Sequence, residues 1–411
     1  MKIFNRKLKI TSSALLTLCM VFVMTACAEN SSQSEKSQPA EQTTVQPTTM
    51  SAEEINDRKL DKFISDMTLE EKVGQMFFVR CPDEDAVKQV SEYNIGGYIL
   101  FGRDFDGKTK DEVVDDIHSY QNEADIPLLI GVDEEGGTVV RISSNPNLRE
   151  TPFLSPKDTY ADGGWNAVKQ DAEEKADLLL SLGINVNLAP VCDMTSDEYG
   201  FMYDRSFSSD VDMENRYVRT VVETSKSKKL GTVLKHFPGY GNNSDTHTGI
   251  AYDDRDYSEF ENTDFKPFYQ GIESGADCIL VSHNIVNCMD SEYPASLSQK
   301  VHDILRNEFK FDGVIMTDDL IMDAITDFTG DEAAAGTAAK CGNDLLCCSS
   351  VDTQYPAVLE AVQNGEISKA QVDASVKRIL KWKQNLGIFN IDTYQKKVKS
   401  TEPTDTVGSE E

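Results

Sequence analysis

A chain of 411 residues, 39% of them hydrophobic and 8% aromatic, has the composition of a globular protein and the length for one large domain or two ordinary ones. Its formal charge of -30 excludes nucleic acid and anionic membrane surfaces as natural partners, because such a surface repels polyanions. A neutral or locally cationic ligand fits better.

In chain order, residues 1–26 read as a targeting segment: Lys2, Arg6, Lys7 and Lys9 form a basic start, and a mostly apolar stretch runs from Ile10 to Met24, too short to span a bilayer comfortably. It ends in Met24-Thr25-Ala26-Cys27, which resembles a bacterial lipobox, where small residues precede a cysteine that becomes diacylated; the alternative is an ordinary signal peptide with an incidental cysteine. The lipobox implies an extracytoplasmic protein anchored to the bacterial cell membrane through lipid on Cys27. Residues 27–51 are mainly Ser, Gln, Thr, Pro and Glu, with too little apolar side chain to build a core, and are expected to form a disordered tether. Residues 393–411 are again polar and are expected to fray. Residues 52–392 remain as the folded domain.

Within it, short apolar runs alternate with amphipathic stretches. The predicted strands are Val73 to Val79, Gly97 to Phe101, Leu128 to Val132, Val186 to Val191, Thr232 to His236, Cys278 to Ser282, Val314 to Thr317 and Asp344 to Cys348. Helical patterns cover Lys110 to Asn122, Trp165 to Leu182, Met213 to Lys229, Phe260 to Ser274 and Gln299 to Asn307, and a closing helix runs from Lys369 to Leu386 before Gly387. Near-continuous apolar strands followed by helices imply a parallel sheet covered on both faces. Eight of them over roughly 330 residues predict a (β/α)8 TIM barrel as a single catalytic domain. The competing doubly wound sheet lacks a GxGxxG opening a helix after its first strand. Seven cysteines in the domain, Cys81, Cys192, Cys278, Cys288, Cys341, Cys347 and Cys348, show neither a disulfide framework nor zinc spacing and read mostly as small core residues. No metal or cofactor is implied.

Catalytic groups of such a barrel project from the C-terminal ends of its strands, so the chemistry is carried by the residues just past each apolar run. Those positions are mostly polar: Arg103-Asp104, Asp133-Glu134-Glu135, Asp193, Lys235-His236, His283-Asn284 and Asp318-Asp319. The segment from Lys235 to His247 is the densest, and Pro238, Gly239 and Gly241 let it turn back over the mouth. Asp245 and His247, two apart, share one side of an extended segment, and a carboxylate that fixes an imidazole's tautomer makes a proton shuttle. By itself an Asp-x-His pair is also ordinary surface loop; its weight comes from Lys235-His236 and from a carboxylate opposite. That carboxylate is Asp318, delivered to the rim by the Val314–Thr317 run and placed to attack an anomeric carbon. Asp319 reads as a helix cap or a supporting acceptor.

Lys235-His236-Phe237-Pro238-Gly239 with Asp245-Thr246-His247 resembles the signature of glycoside hydrolase family 3 β-N-acetylhexosaminidases. Gly131 to Gly137 running on to Arg141, Leu188 to Asp193, Asp204 to Phe207, Pro294 to Ser298 and the Asp318 segment agree with it in order, so the resemblance spans about Lys59 to Phe389. It implies Asp318 as nucleophile, His247 as acid/base and Asp245 as its orienting partner, with Asp133, Arg141, Arg205, Lys235 and His236 binding the hydroxyls and acetamido group of a terminal sugar. Asp193 is left as ligand contact or support, and His283 as a satisfied strand-end histidine or a contact. Two positions depart from the pattern: Tyr240 stands where many relatives have histidine, and Thr246 where they usually have serine. The implied activity is that of a retaining exo-β-N-acetylglucosaminidase acting on muropeptides, peptidoglycan fragments or related glycans. The alternatives are a phosphorylase using the same dyad, and a catalytically inactive sugar-binding lipoprotein, which has no need of a nucleophile and a proton shuttle together.

Overall fold

The computed structural model describes residues 50–396 apart from residue 244 and residues 330–333. The expectations for the targeting segment, Cys27, nearly all of the tether and most of the tail lie outside the described residues.

Eight parallel strands form one sheet: β1 Phe77–Arg80, β2 Gly97–Leu100, β3 Leu129–Val132, β4 Val186–Asn187, β5 Gly231–Phe237, β6 Cys278–Val281, β7 Val314–Thr317 and β8 Leu346–Cys348. They follow one another in chain order, and β1 pairs with both β2 and β8. The ring closes where Met316 of β7 bridges Leu345 and the Thr317 N–H donates to the Leu345 carbonyl at 3.1 Å. The fold is a (β/α)8 barrel. All residues of β2, β3, β6 and β7 are buried, which is why those runs carry no polar alternation.

The elements differ from the sequence pattern in instructive places. Val73 to Gln75 is helical, not strand: the Thr68 hydroxyl accepts from the Glu71 N–H and the Glu71 carboxylate accepts from the Thr68 N–H, a capping box that starts the helix Leu69–Gln75. The first strand therefore begins four residues later and ends on Arg80. Strand β4 keeps two residues of the predicted six, and Val191 touches Lys235 only as an isolated bridge, since Pro190 has no N–H to continue the ladder. The predicted helix Trp165 to Leu182 extends back to Pro156 through a break at Gly163 and Gly164. The stretch from Phe260 to Ser274 is two helices, Tyr257–Asn262 and Phe265–Glu273, parted at Thr263. Six of the seven cysteines of the domain are buried, Cys288 is exposed, and all are free.

Asp344, nearly inaccessible just before β8, fastens the closure. Its carboxylate accepts from the Ile315 N–H at 2.9 Å, the Ser375 hydroxyl at 2.8 Å and Arg378 at 3.0 Å, and also pairs with Arg306. One side chain thus joins β7 to the closing helix Lys369–Asn385.

That helix also buries Lys383 completely, with Gln75 Oε1 accepting from its Nζ at 2.8 Å and no acid paired with it among the described residues. Burial pushes the amine down from its ordinary 10.5 to about 7. Below about 7 the amine is charged in both states; between that value and 10.5 only the unfolded chain holds the proton, so stability rises with pH by about 1.4 kcal/mol per unit. Lys383→Met removes this contribution. Urea midpoints at about pH 7 and about pH 9 should show the wild type gaining on the variant at the higher pH; a constant difference would mean that the amine titrates normally.

Candidate active site

The polar segments after the strands meet at the C-terminal mouth of the barrel. One cavity of about 620 Å³ lies there, inside the range of roughly 300–1,000 Å³ usual for small-molecule sites. Asp133, Arg141, Arg205, Lys235, His236, Asp245, His247 and Asp318 all line it. The structure thus brings together all eight residues singled out for sugar chemistry. Asp193 and His283 lie behind the wall rather than on it.

The floor is a network of paired charges. Lys235, on β5, donates to Asp133 and pairs with Glu135, at 2.6 Å each, both from the segment after β3. Arg205 grips Glu135 with two bonds, Nε to Oε2 at 3.0 Å and an Nη to Oε1 at 2.7 Å. Burial opposes charge on Glu135, but Arg205 and Lys235 hold its carboxyl far below the usual range. Burial likewise works against the Lys235 ammonium, and Asp133 and Glu135 more than offset it. A guanidinium has no acceptor, so Arg205 donates to His236 Nε2 at 3.2 Å, and the ring proton sits on Nδ1, given to Asp193 at 2.6 Å. Asp193 also accepts from the His236 and Tyr240 backbone N–H groups, which fixes the turn leading out of β5.

That turn needs glycine: Gly239 has φ of 123°, and a Cβ there would strike the Asp264 carboxylate. Further on, Asp245 caps a short turn over Thr246–Thr248 and accepts from both the backbone N–H and Nδ1 of His247, the latter at 2.7 Å. The imidazole proton is thereby held on Nδ1, leaving Nε2 for exchange. The His247 side chain is 59% exposed and that of Asp245 28%, against 3% for Lys235, so this pair is open to the pocket's entrance while the floor is sealed. Thr246 between them is buried, and its hydroxyl bonds the buried Tyr240 hydroxyl. Past this turn Tyr252–Asp253 pairs with Ile285–Val286, tying the loop after β5 to the one after β6.

Asp318 comes directly after β7. Burial would raise its carboxyl, but His283, His236, the Asp319 N–H and His247 outweigh burial and hold it below its ordinary value, so it is an anion over the working range. Its Oδ1 accepts from the Asp319 N–H at 2.9 Å. His283 Nε2 donates to the Asp319 carbonyl at 3.1 Å, and the Ser296 hydroxyl lies 2.7 Å from Nδ1. Burial lowers the His283 pKa, and its two bonds make it a brace for the Asp318 turn. Asp319 accepts from Ser349 and the Ile321 N–H and caps a turn, not a helix. Among the described residues no cluster of His, Cys, Asp or Glu is placed to hold a metal ion.

Sequence reasoning passed over Glu135, which locks both cations, and the cavity-lining Arg80, Phe101 and Phe201. Glu135 is legible as part of a strand-end acidic run. Arg80 is hidden by a strand assignment that ends at Val79.

Carboxylates, imidazoles and salt-bridged cations around one cavity at the C-terminal mouth of a (β/α)8 barrel define a carbohydrate-processing barrel enzyme. Residues 68–382 match the glycosyl hydrolase family 3 N-terminal domain. The chain belongs to that family and is a glycoside hydrolase. It is 32% identical over 273 residues to a β-hexosaminidase of Nitrosomonas eutropha, covering 64% of this chain and 77% of that protein. It is 31% identical over 286 residues to a β-hexosaminidase of Hydrogenovibrio crunogenus, covering 68% and 79%. The solved family 3 β-N-acetylglucosaminidase of Paenibacillus sp. str. FPU-7 superimposes with a TM-score of 0.74 at 29% identity, over 84% of this chain and 66% of that one.

Removing the charge of Glu135 leaves Arg205 half paired in a sealed site. Glu135→Gln is expected to cost about 3 kcal/mol of stability or more, read by urea denaturation, whereas Glu173→Gln, at a half-exposed carboxylate paired with Lys169 across one helical turn, should cost well under about 1 kcal/mol. Equal small losses would show that the network carries no structural weight.

Proposed function

We propose that this hydrolase is a retaining exo-β-N-acetylglucosaminidase, with Asp318 as nucleophile, His247 as acid/base and Asp245 as the residue that orients it. The observation that supports the reading most is that an ionised strand-end carboxylate and a tautomer-fixed imidazole from a different loop line the same cavity. The Nitrosomonas and Hydrogenovibrio relatives both carry the name β-hexosaminidase, which agrees with it.

In the first displacement Asp318 forms a bond to the anomeric carbon while the glycosidic C–O bond breaks, and the proton on His247 Nε2 passes to the departing oxygen. Asp245 accepts from Nδ1 throughout and stabilises the imidazolium before the transfer. In the second, water loses a proton to Nε2, its oxygen bonds the anomeric carbon, and Asp318 leaves as the free carboxylate. Two inversions retain the configuration. Asp133, Arg141, Arg205, Lys235 and His236 hold the sugar's hydroxyls and acetamido group, and the paired charges among them arrive already oriented, so little ordering is left for the moment of binding.

The assay is hydrolysis of an aryl β-N-acetylglucosaminide. Asp318→Gly is expected to lose about a thousandfold in kcat or more, and His247→Gly about a hundredfold or more; wild-type turnover in either variant removes its role. Running the reaction with and without inorganic phosphate separates hydrolysis from phosphorolysis, since only the latter releases the sugar 1-phosphate.

The proposed setting is extracytoplasmic, on the cell membrane through lipid on Cys27, with peptidoglycan fragments as substrate; the basic start, apolar stretch and Met24–Cys27 segment support it. Expressed in a bacterium, the protein should fractionate with membranes and Cys27→Ser should not. Recovery of both in the soluble fraction contradicts the anchor.

A further inference from the structure

Two cations on the wall of the cavity have no acidic partner among the described residues. Arg80 ends β1, Arg141 lies on the loop after β3, and both line the pocket that holds Asp318. The Nε atoms of both are buried without a hydrogen bond, and neither guanidinium forms a hydrogen bond or an ion pair among the described residues. This is unusual in a chain with 70 acidic residues against 40 basic ones, where the neighbouring Lys235 and Arg205 are matched by Asp133 and Glu135. Asp104, whose carboxylate accepts from the Phe101 N–H, is near enough to feel the Arg80 charge but makes no ion pair with it. Arg80 and Arg141 stack instead on the same ring, their guanidinium carbons 4.3 and 5.9 Å from the centroid of Phe101, which comes directly after β2. Packing on the ring leaves their N–H groups unspent. Two like charges gathered on one ring, each with a desolvated and unbonded Nε, are held in a costly arrangement that a shared anion relieves.

We propose that Arg80 and Arg141 form a subsite for an anionic substituent, a carboxylate or a phosphate, on the terminal sugar of the substrate. The barrel's order decides where on the sugar it lies. The pair belongs to the arc of strands one to three, centred on β2, whereas His247 comes from the loop after β5 and Asp318 from β7, an arc centred on the sixth strand. In a ring of eight, those arcs are opposite. A sugar with its anomeric carbon between Asp318 and His247 therefore turns its far edge, carrying the substituents on C3, C4 and C6, toward the arginines. The same geometry assigns the anion to the sugar itself and not to an acceptor phosphate, which has to approach the anomeric carbon from the His247 side. The subsite rests on the glycosidase reading for the sugar's orientation, and its chemistry is local: it stands against a chain-wide charge of -30.

The test is calorimetric binding of N-acetylglucosamine, N-acetylglucosamine 6-phosphate, N-acetylmuramic acid (carboxylate on a 3-O-lactyl arm) and inorganic phosphate to the wild type, Arg80→Met and Arg80→Lys. Met retains an apolar stem for the Phe101 ring without the charge, and a thermal midpoint for each variant reports folding. At least one anionic sugar should bind about tenfold tighter than the neutral one, the worth of a charge-assisted hydrogen bond. That advantage should disappear in Arg80→Met and return in part in Arg80→Lys. Which of the two sugars gains tells a 6-phosphate from a 3-linked carboxylate. Equal affinity for neutral and anionic sugars, an advantage that survives Arg80→Met, or phosphate binding as tightly as the anionic sugars overturns the subsite. Turnover of the neutral aryl glycoside is measured alongside: turnover without an anionic advantage sinks the subsite alone, while an anionic advantage without turnover sinks the catalytic reading and leaves the subsite standing.

Discussion

Lys235 has 3% of its side chain exposed and lies 2.6 Å from each of two carboxylates, Asp133 and Glu135, and the mouth of the barrel is arranged around that contact. An ammonium so far from water is tolerated only with compensation in place, which requires the segment after β3 to reach the end of β5 in one geometry. Glu135 passes the constraint to Arg205, Arg205 to His236, and His236 to Asp193 on the far side of β4. Each link also fixes where a charge or a proton sits: Glu135 is ionised, and the His236 ring gives its Nδ1 proton to Asp193. The cavity-facing donors and acceptors are therefore set before any ligand arrives, which is the condition for an electrostatic site to act without reorganising.

Glu134, next in sequence to Glu135, performs the corresponding task for the loop. Wholly buried, it accepts from the Arg141, Ile142 and Ser143 N–H groups, while Asn187 of β4 brackets its own backbone N–H and carbonyl. Arg141 is thus positioned through its main chain, and its guanidinium forms no hydrogen bond or ion pair among the described residues. Three successive acids after one strand have three duties: Asp133 lines the cavity, Glu134 folds the loop, and Glu135 neutralises the cations.

The barrel itself is legible in the sequence because strands buried on both faces must be written in apolar residues, and β7 can be read to its last residue. Sequence and structure part where a local hydrogen bond outweighs composition. The Thr68–Glu71 capping box turns an apolar run into helix, and the resulting shift of β1 conceals Arg80 as a strand-end residue. Six of the eight residues brought to the cavity are legible because they occupy strand ends or a glycine-rich loop, positions set by sequence order, whereas Arg141 and Arg205 are reached only through the family resemblance. The pairing of Lys235 and Arg205 with Glu135 rather than solvent is not, because it depends on which strand-end side chains are close in space. Asp193 and His283 stay open for the same reason. Both stand after strands as cavity residues would, and only their partners, the His236 ring and the Asp319 carbonyl, reveal them as supports.

The two departures from the family pattern meet in space. Tyr240 reaches Thr246 with its hydroxyl, so the residue between Asp245 and His247 is fastened from beneath while the pair itself remains accessible. Phe201 lies beside this contact, its ring 5.9 Å from that of Tyr240 and 6.3 Å from that of His247. Burial, and then the charge of Asp318, push the Tyr240 phenol above its ordinary value. The fastening is accordingly a neutral bond that does not titrate in the range where glycosides are cleaved. A histidine at position 240 would set another titrating ring against the wall beside Asp318. With tyrosine there, His236 committed to Arg205 and Asp193, and His283 committed to Asp319, the His247 imidazole at the cavity keeps its Nε2 without a hydrogen-bond partner among the described residues.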